Sequence, residues 1–241
     1  MFLRNCFRPF AMDATIIAQP APHTLKVLQH QQYVTTEHLT PATSPPSPLD
    51  LFRTWFKQAV DAKVQEPDAV TLATATAGGI PSARVVLFKE ADERGFIFFT
   101  NYTSRKSQEL SENPNAAMAF YWREMHRSVR VVGPVEKLSA EENAAYFKSR
   151  PVESQLGAWA SKQSSVIDEG TLEARLKKVT EKFGNDVPTP DFWGGWRIVP
   201  TYASFALSLI LSAHKITQGS RVLDRKTCQT ARPYPLCSSG S

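Results

Sequence analysis

The sequence predicts a mainly β fold, an antiparallel barrel flanked by helices, and three observations carry that prediction. Five short runs rich in Val, Phe, Thr and Tyr succeed one another at 70–76, 82–89, 95–100, 116–122 and 128–138. Gly, Pro and Asn stand in the gaps between them. Residues 92–95 (Asp-Glu-Arg-Gly) close a hairpin, which sets the strand carrying Arg84 beside the strand ending in Thr100.

The flanking segments differ in character. Residues 1–47 are irregular and end in PATSPPSP, a composition that cannot bury a core, so they are expected to form a leader and linker. From Leu49 the period becomes helical: Leu49, Phe52, Trp55, Phe56, Ala59 and Val60 make one apolar stripe suited to packing on a sheet. Residues 104–112 fit a short crossover helix with Arg105 and Lys106 in its first turn. Free N–H groups there favour an anion. Ser139 and Glu142 form a capping box that opens a helix through Phe147. Further helix is expected at 154–161 and 171–183, and a returning strand at 193–200. The expected domain is therefore 48–200, with 201–241 a poorly ordered tail.

Composition excludes several classes. The net charge of +5 comes from the ends: residues 48–200 hold 20 basic and 20 acidic side chains, so a basic nucleic-acid face is not expected. Cys6, Cys228 and Cys237 have no metal-ligand spacing and fit a reducing compartment, hence a cytoplasmic protein. Arg4 and Arg8, with no acid before Asp13, are the one hint of a mitochondrial presequence. The apolar run 202–213 is too short to span a bilayer, which needs roughly 20 residues.

The chemistry-bearing stretch is 81–106, PSARVVLFKEADERGFIFFTNYTSRK, with Arg84, Lys89, Arg94, Arg105 and Lys106 on two strands and the turn after them. Guanidinium forks, a lysine and nearby hydroxyls suit a phosphomonoester. Spacing alone leaves a second reading open, solvated charges that protect strand edges. Tyr146, Arg150 and Ser154, four residues apart, could likewise face one anion or simply stand exposed at a helix end.

These motifs resemble the pyridoxamine 5'-phosphate oxidase family. SARVVLFK, FFTNYTSRK, NPNAAMAFYW, VRVVGPVEKL, YFKSRPVESQLGAWASKQSSVI and VPTPDFWGGWRIVP occur in family order over most of the chain. The resemblance implies an FMN-binding split barrel and a homodimer with FMN at the subunit interface. It implies that Arg84, Val85, Val86, Leu87, Phe99, Thr100, Arg105 and Lys106 contact FMN, joined by Gln163 and Ser164. Lys89, Tyr146, Arg150 and Ser154 would hold the substrate phosphate. The implied reaction moves a hydride from C4' of pyridoxamine or pyridoxine 5'-phosphate to the flavin, and dioxygen reoxidises it to give hydrogen peroxide. The flavin carries that chemistry, so a missing triad or metal cluster does not argue against an enzyme.

The chain departs from the family at several places. Ser128 stands where a flavin-contacting Gln is usual, and His30 where an Arg precedes the substrate-covering Tyr33. Glu66 matches an acidic position beside the substrate. After Pro200 the family continues Glu-Phe-Trp-Gln-Gly and then Arg-Leu-His-Asp-Arg, whose first Arg and His contact substrate and whose last Arg contacts flavin. With Phe205 aligned to the family Phe, Ala206 replaces Trp and only His214 survives; a displaced alignment offers Arg221 and Arg225 but puts Leu223 at the His. Catalytic contacts are thus assigned to His214 and Arg221, and a flavin contact to Arg225, with activity expected to suffer. The Ser/Cys/Pro-rich end fits a frame change or read-through better than an evolved strand. Two further readings stand beside the oxidase: a non-catalytic binder of FMN or pyridoxal phosphate, and a flavin reductase on the same barrel.

Overall fold

The structure, a computed structural model, describes residues 45, 47–161 and 171–207 and the backbone of 214–216. Its secondary-structure elements all belong to the compact unit Glu37–Ser241. The leader expected over 1–47 lies almost wholly outside the described residues.

Helix α1 (Pro48–Asp61) starts with Pro48, whose fixed φ suits the first helical position, after Ser47 in extended conformation. Strands β1 (Ala69–Ala75), β2 (Pro81–Ala91) and β3 (Phe96–Asn101) come next, then α2 (Arg105–Glu112), β4 (Asn115–Trp122) and β5 (Arg127–Lys137). The β2–β3 turn forms as its sequence demands: the Asp92 carboxylate accepts from the backbone N–H of Arg94 at 2.9 Å and of Gly95 at 2.8 Å. A single 3-10 turn, Arg123–Met125, closed by His126 at φ 53°, links β4 to β5. Helix α3 (Ala140–Ser149) has the expected capping box, with Ser139 Oγ accepting from Glu142 N at 3.1 Å and Glu142 Oε2 accepting from Ser139 N at 2.7 Å. Helices α4 (Val152–Ala160) and α5 (Thr171–Phe183) precede β6 (Trp193–Ile198), β7 (Tyr202–Leu207) and β8 (His214–Ile216).

All strand pairs are antiparallel, in the order β4-β1-β2-β3-β6-β5, and a β4–β5 pairing closes these six into a barrel. β7 lies outside the ring against β5, and β8 against β7. The barrel interior is aromatic. Phe52 of α1 enters it, with ring centroids 4.8 Å from Phe96, 5.0 Å from Phe120 and 5.4 Å from Phe88, mostly edge-on or tilted. Full burial of one such ring contributes about 2 kcal/mol, so the stripe read on α1 is a core face from Leu49 to Ala59, while Val60 is exposed and Leu51 joins the core. A second apolar cluster forms where α3 and α4 meet β6, around Phe147, Leu156, Val187 and Trp193.

The boundary expected at Pro200 falls inside the sheet. β7 pairs with β5 from Tyr202 opposite Val132 to Leu207 opposite Arg127. It buries Ala203, Phe205 and Leu207, and the Phe205 ring lies 5.5 Å from Trp55. Alternating apolar residues of period two produce that strand, a signal present in the sequence and outweighed there by the family mismatch.

Strand β5 changes partners along its length, pairing with β7 up to Val132 and with β6 from Val135. Gly133 marks the change, and a Cβ there would overlap the Val199 carbonyl. Gly133→Ala should therefore lower the unfolding free energy by about 3 kcal/mol, read from urea denaturation. A loss below about 1 kcal/mol would show that the crossing tolerates a side chain.

Candidate functional site

Strand β2 also changes partners. Its residues Pro81–Leu87 pair with β1, and from Phe88 onward they pair with β3, with an irregularity between Phe88 and Glu90. Such a bulge re-aims the side chain it carries, here Lys89. Beside this crossing lies a cleft of about 480 Å³, walled by β2, β3, α2, α3, α4 and Trp193 of β6.

The cleft gathers most of the residues expected from sequence. Arg84, Val85, Val86, Leu87, Lys89, Phe99, Thr100, Lys106, Tyr146, Arg150 and Ser154 all line it. Tyr146 comes from the last turns of α3, Arg150 caps that helix, and Ser154 lies in the first turn of α4. Tyr146 and Arg150 are thus part-buried in the cleft wall and not fully exposed at the helix end. Phe99, Tyr146 and Trp193 have nearly parallel rings, with Phe99 3.8 Å from Tyr146 and 5.2 Å from Trp193. The Arg150 guanidinium stands 4.9 Å from the Trp193 centroid, a cation–π contact. Its Nη1 is buried and has no hydrogen-bond partner among the described residues. Burial pushes the Arg150 cation below its ordinary value. A buried guanidinium nitrogen without an acceptor is costly and suits an incoming anion.

The cations of 81–106 do not all converge as the spacing suggested. Arg94 pairs with Glu136 at 2.5 Å and lines a separate cavity of about 320 Å³ with Pro48 and Phe205. Arg105 is absent from the lining of the larger cleft and turns to Glu109, Nε to Oε1 at 2.8 Å. Arg84 lies in the cleft wall but is tied down. It donates to Thr74 Oγ1 and Ser82 Oγ, each at 2.5 Å, and reaches Glu109 Oε2 at 3.3 Å. The anion on which two of these cations meet is thus the protein's own Glu109, which sequence reading missed. Its i,i+4 spacing from Arg105 was the available signal.

Lys106 is buried in the cleft, 8% exposed, with Nζ 3.3 Å from Thr100 Oγ1 and 3.4 Å from Ser104 Oγ. Burial, reinforced by Arg84, lowers its ammonium from the ordinary value, and Glu109 opposes the shift. Lys89 Nζ pairs with Asp68 at 2.8 Å. The acid that meets Lys89 is therefore Asp68, whereas Glu66 is exposed, at φ 47°, and absent from the lining.

Gln163, Ser164, Arg221 and Arg225 lie outside the described residues. The backbone of His214 is in β8, opposite Phe205. Ser128 pairs with Ala206 across β5 and β7. Among the described residues no group of His, Cys, Asp and Glu could hold a metal ion, and no helix is long and apolar enough to cross a membrane.

Comparison with known proteins gives a consistent picture. Residues 56–183 match the family model described as pyridoxamine 5'-phosphate oxidase. The chain is 55% identical over 161 residues to a pyridoxine/pyridoxamine 5'-phosphate oxidase of Burkholderia mallei, covering 66% of this chain and 75% of that protein. The protein of the same description from Paraburkholderia phymatum is also 55% identical over 161 residues, 76% of its length. Among solved structures, PhzG from Burkholderia lata, in complex with tetrahydrophenazine-1-carboxylic acid, superposes with a TM-score of 0.68 at 34% identity, covering 74% of this chain and 90% of PhzG. A pyridoxamine 5'-phosphate oxidase-related, FMN binding protein from Nostoc punctiforme shares the fold at a TM-score of 0.54 and 15% identity, covering 68% of this chain and 84% of that one.

Proposed function

The chain belongs to the pyridoxamine 5'-phosphate oxidase family, and from that premise we propose that it is an FMN-dependent oxidase making pyridoxal 5'-phosphate from pyridoxamine or pyridoxine 5'-phosphate. Dioxygen is the acceptor and hydrogen peroxide the second product, a role in vitamin B6 metabolism. The observation that carries the reading is the single cleft that brings Arg84, Lys89, Lys106 and Arg150 together with an aromatic wall. This donor set fits two phosphate-bearing ligands: part-buried and buried cations, several hydroxyls and one guanidinium nitrogen with no acceptor among the described residues.

FMN, when bound, supplies the two-electron chemistry. The chain's part is binding, orientation and exclusion of water. In this reading Arg84, Thr100 and Lys106 receive the flavin phosphate at the start of α2, where helix N–H groups add to the attraction. Lys89, Tyr146, Arg150 and Ser154 receive the substrate phosphate. The stacked rings of Phe99, Tyr146 and Trp193 present an apolar face beside it and keep solvent from the reacting carbon. The reading extends to a homodimer. Val85 and Leu87, apolar residues of the cleft wall, are 68% and 48% exposed, a surface suited to burial against a second copy.

The test is titration of the purified protein with FMN, then an assay for oxygen-dependent formation of pyridoxal 5'-phosphate. Stoichiometric flavin uptake and product formation are expected; protein that takes up no flavin would end the reading. Arg150→Ala and Lys89→Ala should each raise KM for the phosphorylated substrate about tenfold or more while flavin content stays intact, since charge-assisted hydrogen bonds contribute about 1.5–3 kcal/mol. Loss of FMN with unchanged KM would reverse the assignment of the two phosphates. A second reading, a protein that captures FMN or pyridoxal phosphate without turnover, is favoured by the sequence after Pro200. Flavin uptake without product formation would select it.

A further inference from the structure

We propose that Glu109 is a positioning residue for the cationic wall of the cleft, fixing the Arg84 guanidinium in place for the phosphate of the cofactor and itself steadied from outside the cleft by Arg105. The inference rests on the flavin reading proposed for this cleft. Glu109 lies on α2, is 4% exposed and does not line the cleft. Both of its oxygens are engaged. Oε1 accepts from Arg105 Nε at 2.8 Å; Oε2 accepts from Thr74 Oγ1 at 2.5 Å and Ser82 Oγ at 2.7 Å and stands 3.3 Å from Arg84 Nη2.

Two arginines from different elements, β2 and α2, thus close on one carboxylate, and two hydroxyls lock that carboxylate in turn. The hydroxyls also hold Arg84 directly, through Thr74 and Ser82. Arginine has many rotamers, and ordering it at the moment of binding opposes affinity; a carboxylate that orders it beforehand removes that cost. Burial alone would raise the Glu109 carboxyl, but the hydrogen bonds from Thr74, Ser82 and Arg105 outweigh it and hold it at about 2. The group is therefore ionised across the working range of pH.

A fixed negative charge beside a phosphate site has an opposing effect, since by Coulomb attraction and repulsion alone it weakens anion binding. Here the balance favours positioning. Arg84 and Lys106, which line the cleft, against Glu109 still leave a net cationic cluster for a phosphate dianion, so the carboxylate organises the site without neutralising it. The two effects predict opposite signs for removal of the charge.

The experiment measures FMN and riboflavin affinity for the full-length wild type, Glu109→Gln and Thr74→Val by flavin fluorescence quenching. Glu109→Gln should weaken FMN about tenfold or more and change riboflavin, which lacks the phosphate, by less than about twofold. Thr74→Val touches no charge and should weaken FMN about threefold, again sparing riboflavin, so it decides the matter if the Gln variant does not fold. FMN binding unchanged or tightened in these variants overturns the proposal, as does equal loss of both ligands, which would mark a scaffold role. A wild type that binds neither flavin overturns the cofactor reading and the inference with it; a wild type that binds FMN with variants that match it overturns the inference alone.

Discussion

Arg197→Met is expected to lower the unfolding free energy by about 3–5 kcal/mol, a large share of a domain's stability. Arg197 is 4% exposed on β6 and bonds three carboxylates: Asp92 of the hairpin turn at 2.6 Å, Glu136 of β5 at 2.9 Å and Glu142 of α3 at 2.9 Å. Removing the cation strands three acids around an apolar side chain, and the Arg94 guanidinium pairs only with Glu136 among them. Urea denaturation checks the size, and its pH dependence checks the cause. Burial opposes ionisation of Asp92, but hydrogen bonds from Arg197, Gly95 N and Arg94 N lower its carboxyl overall. Glu142 is lowered by the Ser139 backbone N–H and then by Arg197. Groups lowered in the folded state contribute stability above their unfolded values, near pH 4, and lose it as pH falls through the folded ones. The gap between wild type and Arg197→Met should therefore narrow below about pH 4. A gap that stays constant down to about pH 2 would mean that lost packing, not lost charge, sets the cost.

The second large effect concerns turnover. The family's Arg-Leu-His-Asp-Arg segment, which orients substrate and flavin, has no counterpart after Pro200 that keeps both the Arg and the His. Misplaced substrate commonly costs on the order of 100-fold in rate. Oxidase activity at least that far below a family member with the usual ending is expected, with flavin binding intact. Grafting the family segment after Ala203 should restore it, because β7 already supplies the strand on which the segment begins. Turnover of pyridoxamine 5'-phosphate at an ordinary flavin-oxidase rate by the unaltered chain would refute this.

Much of the barrel was legible because its signals are local. Period-two runs, the Asp92–Gly95 turn and the Ser139–Glu142 box each act over a few residues, and each element expected from them formed within about two residues of its bounds. β7 was missed although Ala203, Phe205 and Leu207 alternate, since the mismatch with family motifs overrode the pattern. The cleft was legible through its motif residues, but the partners of those residues were not. Asp68 beside Lys89 and Glu109 beneath Arg84 are 21 and 25 residues away along the chain. Only folding brings them together, so which cations face a ligand and which face the protein could not be read from spacing.

The closure of the ring between β4 and β5 has a consequence for how such a chain can change over generations. All six strands that enclose the core come from residues before Val199, and among the described residues the later strands attach outside, β7 through its ladder with β5 and the burial of Ala203, Phe205 and Leu207, and β8 through β7. Selection for a closed barrel therefore acts on the chain up to Ile198, where every residue lining the cleft also lies. A lineage can exchange the segment beyond β7 in one genetic event and inherit a closed barrel, without passing through unfolded ancestors.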